Sequence, residues 1–225
     1  MAPFSLIAAA LALPALASAT STCEGKTVKV TNLTYSQPFT PILAVYHSPD
    51  IALFKSGEAP SAALAEMAET GSLAMLADLA TGELAPYICG FAAADGITPP
   101  GATAELSIPM AYKENCHCDT AVLSVVSMLA NTNDAFLGMN SVAQPAYGYS
   151  TFRAPAYDAG SEANTQVCED IPGPACGDGE NNAVGNGEGF VHIHRGQVFL
   201  GDNDPSDSVS TDAYDWRNPV ASIYY

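Results

Sequence analysis

Apolar residues in this chain come in short runs that alternate with polar ones and are cut by Gly, Pro, Asn or Asp. This confines the fold to short strands with a buried face. Val28 and Val30 alternate with Lys29 and Thr31, and Ala104 to Ile108 alternates again. Ile42 to His47, Val122 to Leu129, Phe190 to His194 and Val220 to Tyr225 bring the total to at least six runs. With turn residues between them, they predict an all-β fold, an antiparallel β-sandwich. One stretch breaks the pattern. Ala59 to Ala80 is rich in Ala, Leu, Met and Glu, with Leu64, Met67 and Ala68 at helical spacing, then Leu73, Leu76 and Leu79 after Gly71. It predicts an insertion of two short helices broken at Gly71 and lying across one end of the sandwich. No internal repeat or linker interrupts residues 20–225, which read as a single domain.

Met1 to Ala19 carries no charge and joins an apolar run, Leu6 to Leu13, to Ala17-Ser18-Ala19. That is the pattern of a secretory leader with a small-x-small cleavage site, and the run is too short to span a bilayer. A secreted, extracellular chain is the expectation, and no later stretch is long enough for a membrane span. The six cysteines all follow the leader, and an even count in an exported chain favours disulfides. Cys168 and Cys176 bracket Ile171-Pro172-Gly173-Pro174 and predict a local bridge. Cys116 and Cys118 are too close to bridge each other, so each ties to a distant partner; Cys23 and Cys89 remain, with the pairing open. Asn32-Leu33-Thr34 spells an N-glycosylation acceptor at Asn32.

Seven Lys and Arg against 24 Asp and Glu give a formal charge of −17, which repels phosphate backbones and anionic leaflets. Nucleic acid is therefore excluded as a partner. A hard cation or a basic ligand is what such a surface attracts. Ten tyrosines suit stacking contacts with a carbohydrate or protein, and equally a sandwich core.

Two segments place short oxygen-bearing side chains at the mouths of strands: Asn131-Thr132-Asn133-Asp134, and Tyr157-Asp158-Ala159-Gly160-Ser161-Glu162. Asp134, Asp158 and Glu162 offer three carboxylates to a calcium ion, with Gly160 turning the loop so that the last two converge. Each piece also has a plain role, a helical-turn cap for Asp158 and an Asx-turn for Asp134. Polar loops around Asp134 and Asp158 favour ionised metal ligands over a general acid. His192-Ile193-His194 on a strand sets two imidazoles on one face. If the strand ending at His47 lies alongside, His47, His192 and His194 form an alternative copper or zinc site. His117 joins it only if Cys116 and Cys118 are reduced. The chain has no Gly-x-Ser-x-Gly, Walker, His-Glu-x-x-His or dinucleotide motif, so a non-enzymatic role is expected.

Val28 to Thr34, Gln37-Pro38-Phe39, His47-Ser48-Pro49, Thr132-Asn133-Asp134, Pro155 to Glu162, Ile171 to Pro174, Gly189 to Gly196 and Trp216 to Ala221 run in this order along nearly the whole mature chain. This series resembles the spondin N-terminal domain family, especially its microbial branch, with Asp158-Ala159-Gly160-Ser161-Glu162 its most specific part. The resemblance implies a β-sandwich of secreted matrix and adhesion proteins. It also implies a calcium site falling on Asp134, Asp158 and Glu162, and an extracellular protein or carbohydrate ligand. The chain departs from the animal members in carrying Glu162 where they have Asp, and Ala135 then Phe136 where an aromatic directly follows the first calcium aspartate. It has no room for their thrombospondin-type repeats.

Overall fold

A computed structural model describes residues 23–176, 185–197, 209 and 214–225. The leader Met1 to Ala19 lies outside the described residues.

Among the described residues, ten strands form two antiparallel sheets, as a β-sandwich requires. The smaller sheet runs β4 (Thr103–Ile108), β1 (Lys26–Asn32), β10 (Ala221–Tyr224), β7 (Thr151–Ala154). The larger runs β3 (Ile88–Ala93), β2 (Leu43–His47), β5 (Val122–Met128), β6 (Ala135–Ala143), β8 (Ala156–Asp158), β9 (His192–Ile193). Alternation sets the core between them. Val28, Val30, Leu106, Ile108 and Ile223 face Ala44, Tyr46, Leu123, Val125 and Leu137, all buried.

The helices are α1 (Ala62–Thr70) and α2 (Ala74–Thr81), broken at Gly71 as expected. The Leu64 N–H donates to the Ser61 side chain and caps α1 at its start. Gly71 ends it at φ 72, where a Cβ would also stand 2.5 Å from Thr40 Cγ2. The expected position is corrected: the pair covers the outer face of the larger sheet instead of one end of the sandwich. Leu64, Met67 and Leu76 pack on Leu43, Val45, Val126, Met128 and Phe136, the residues alternate to the inner set. Every residue of β2 and β5 is consequently buried, so Val122 to Leu129 is apolar on both faces apart from Ser124 and Ser127 instead of alternating.

Three bridges close: Cys168–Cys176 as expected, with Cys23–Cys118 and Cys89–Cys116 completing the open pairing. Cys23–Cys118 spans 95 residues and Cys168–Cys176 spans 8.

Asn32 is corrected as a glycan acceptor. It is wholly buried, and its Nδ2 donates to the carbonyls of Gln37 at 2.8 Å and Thr98 at 3.1 Å. Its Oδ1 accepts from Thr34 N–H and Oγ1, so the sequon's threonine closes an Asx-turn. A sugar on Nδ2 would displace the hydrogen bonds that join β1 to both neighbouring loops.

Removing the long-range bridge (Cys23→Ala with Cys118→Ala) should cost about 2 kcal/mol more than removing the local one (Cys168→Ala with Cys176→Ala), from the loop lengths they close. Denaturant melts of the two double variants check this; equal midpoints would contradict it.

Candidate metal centre

The β5–β6 connection builds the site. Asn131, Thr132, Asn133 and Asp134 are all buried, and the side chains of Asn131, Asn133 and Asp134 bond outward to separate segments. Asn131 Oδ1 accepts the Ala175 N–H at 2.9 Å, just before Cys176. Thr132 Oγ1 donates to Leu129 O and accepts the Ala135 N–H, closing the turn into β6. Asn133 Oδ1 accepts the Gln166 N–H, and its Nδ2 donates to Thr165 Oγ1. Asp134 Oδ2 accepts the backbone N–H groups of Ser161 at 2.8 Å and Glu162 at 3.0 Å.

Strand register then sets the chemistry. Asp158 pairs with Ala135 across β6–β8 and with His192 across β8–β9, so Asp134, Asp158 and His192 come from adjacent strand ends. Gly160 lies at φ 69, and a Cβ there would stand 2.4 Å from Phe190 O. The Gly189 N–H donates to Gly160 O at 2.8 Å, laying the segment that carries Glu188 along the Asp158–Glu162 loop.

The expected setting of the carboxylates is corrected. Asp134, Asp158 and Glu162 are 0%, 1% and 2% exposed instead of lying in open polar loops. Burial first, then the Asp158 charge, pushes the Asp134 carboxyl up to about 7. Burial also raises Asp158, although Asn164 and the Gly160 N–H donate to it at 2.8 Å each. Asp134 Oδ1 is buried with no hydrogen-bond donor. A buried oxygen of this kind, beside a second carboxylate, is stabilised by a cation. Among the described residues no Lys or Arg forms an ion pair with Asp134, Asp158 or Glu188.

The histidines divide. His192 and His194 both turn their Nε2 toward Asp158, at 3.7 Å and 3.9 Å, so the expected shared face is present. His47 does not join them. It lies on β2, four strands from β9 in the sheet, about 19 Å by strand spacing. Its Nδ1–H donates to Ser48 O and its Nε2 bonds Ser124 Oγ, both at 2.8 Å. His194 is also fully engaged: its Nδ1 accepts the Gly196 N–H, and its Nε2–H donates to Asn164 Oδ1 at 3.2 Å. The three-imidazole site is therefore not assembled. His117 lies between two bridged cysteines, which removes the thiolates it needed.

Among the described residues, the group of three potential ligand atoms within 4.8 Å of one another comes from Asp158, Glu188 and His192, whereas the carboxylates of Asp134, Asp158 and Glu162 are not gathered to that distance. Glu188 escaped the sequence reading because it sits in Gly185-Asn186-Gly187-Glu188-Gly189, which has no apolar period. No local pattern gives it away; only the fold shows that a Cβ at Gly187 would stand 2.4 Å from Gly160 O and 2.7 Å from Glu162 N, so that this segment packs on the Asp158–Glu162 loop. No protein-family model matches the chain, and no curated protein matches it.

Burial lowers His47 below its ordinary value of 6.5 and lowers His194 to about 3. Both rings are neutral in the fold, whereas the unfolded chain takes up these protons from about pH 6.5 downward. The two histidines therefore remove stability as pH falls below 6.5. Imidazole NMR should show both titrating below 6.5, with His194 still neutral at pH 5; a midpoint at or above 6.5 for either ring would contradict this burial.

Proposed function

We propose that this chain is a secreted, non-catalytic, spondin-like β-sandwich that binds calcium through Asp134, Asp158 and Glu162 and presents the pinned corner for adhesion or extracellular ligand binding. The observation that carries the reading is the Asp134–Asp158 pair. Two buried carboxylates raise each other's cost of ionisation, and one Asp134 oxygen has no donor. An oxygen-coordinating cation fits this donor set, with backbone carbonyls and water to complete six to eight ligands. Glu162 is tied to the pair because its own N–H bonds Asp134 Oδ2.

Calcium here would neutralise the carboxylates and fasten the Ala159–Glu162 loop to β6, making a rigid recognition surface. The ordered resemblance along the mature chain, the leader-like start and three disulfides support an extracellular role. No helix among the described residues is long and apolar enough to cross a membrane. Tyr147 and Tyr149 are exposed, and Tyr149 stacks on Tyr224 with ring centroids 4.9 Å apart, a flat aromatic face suited to a carbohydrate or protein ligand.

At about a hundredfold excess over Kd, calcium should raise the melting temperature by about 5–10 °C over the chelated protein. Asp134→Asn supplies the sharper test, because Asn keeps the acceptor for Ser161 and Glu162 while removing the charge. In chelator the variant should melt above the wild type, having lost a buried repulsion; in calcium it should melt below. Melting curves unaffected by calcium or chelator in the wild type would sink the proposal.

A further inference from the structure

We propose that Asp158 Oδ1, Glu188 Oε2 and His192 Nε2 form a second site, for a divalent transition-metal ion of the zinc class. It shares Asp158 with the calcium proposal but does not rest on it. His192 Nε2 stands 3.7 Å from Asp158 Oδ1 and 3.7 Å from Glu188 Oε2, too far for a hydrogen bond to either. The three atoms thus surround a common point instead of pairing. For metal–ligand bonds of about 2.0–2.1 Å in a tetrahedral shell, neighbouring ligand atoms stand about 3.3 Å apart; the two imidazole–carboxylate distances need only a few tenths of an ångström of closure, and all three atoms already lie within 4.8 Å of one another.

The imidazole is set for this role. Its Nδ1 lies 3.2 Å from Ile193 O, an acceptor only, which places the proton on Nδ1 and leaves the Nε2 lone pair facing two carboxylate oxygens. A divalent cation shared by the three atoms would offset the repulsion between the two carboxylates and the imidazole lone pair. A backbone carbonyl holding the far nitrogen is also the usual support of a metal-bound histidine.

The carboxylates are held in the matching way. Asn164 Nδ2 donates to Asp158 Oδ2 at 2.8 Å and reaches Glu188 Oε1 at 3.5 Å, the two oxygens turned away from the imidazole. Asn164 is fixed in turn by the His194 Nε2–H donating to its Oδ1, and His194 by the Gly196 N–H. His194 therefore supports the site without being a ligand. Beside this cluster, wholly buried Asp134 adds a further carboxylate with an unpartnered oxygen.

The nitrogen donor separates this site from the calcium set, since calcium takes oxygen ligands whereas imidazole suits zinc, copper and nickel. The side chain of His192 is 30% exposed and that of Glu188 42%, so an ion can enter from solvent without opening the fold.

The test is zinc titration of the metal-stripped mature protein without added calcium, followed by calorimetry and by imidazole ¹⁵N NMR. The expected result is one zinc per chain with a shift of the His192 Nε2 resonance. Uptake should be lost in His192→Gln, weakened about 10- to 100-fold in Asn164→Ala, and kept in Asp134→Asn. Zinc uptake that leaves the His192 resonance in place, or no uptake by the wild type, overturns the site. Because the ¹⁵N readout uses the wild type, a variant that fails to fold leaves the test intact. Loss of calcium binding in Asp134→Asn with zinc binding retained would separate the two sites.

Discussion

Three polar side chains of a buried turn, Asn131, Asn133 and Asp134, hold in place the loops between Ala159 and Cys176, which have little sheet of their own. A polar group taken from water must find a partner inside, and here the partners are backbone groups of segments far along the chain. Ala175, Gln166, Ser161 and Glu162 each give an N–H to this turn. Gln197 adds its side-chain amide to Asn131 O, and Gln37 Oε1 accepts the Asn131 N–H from the opposite side. Each bond contributes about 0.5–1.5 kcal/mol, but losing one partner strands a buried group at about 1–3 kcal/mol. The loops from Ala159 to Cys176 therefore order together with the turn.

The same constraint creates a charge problem that a bound cation would resolve. Docking the Ala159–Glu162 loop requires Asp134 Oδ2 as an acceptor, and its other oxygen then lies buried near Asp158. The short strands β8 and β9 extend the arrangement outward, so a buried oxygen-rich end grades into a half-exposed end that includes one imidazole. A single row of strand ends thus offers different donor sets at different depths.

Sheet and helix types were legible wherever a segment's pattern reported one face. Val28 and Val30 marked β1, and Gly71 marked the helix break, because alternation and a left-handed cap are local. β6 and β8 were not legible. β6 carries Gly138 and Asn140 within its span, and β8 is three residues long, so neither offers a period to read. Asp134 and Asp158 could be picked out by residue type, but their burial depends on the segment bearing Gly187 and Gly189, which no local pattern foretells. His47 failed as a ligand for the complementary reason: its strand was read correctly, but strand order across a sheet is a tertiary property. The Asn32 sequon shows the same limit, since a surface motif and a buried Asx-turn share one spelling.

Amide hydrogen exchange at Ser161 and Glu162, with and without calcium, tests most directly whether the Asn131–Asp134 turn is the joint on which the loops and the cation depend. The account predicts protection at both amides well above that of exposed loops in the chelated protein, rising further when calcium is added. Exchange at open-loop rates in both conditions would contradict it.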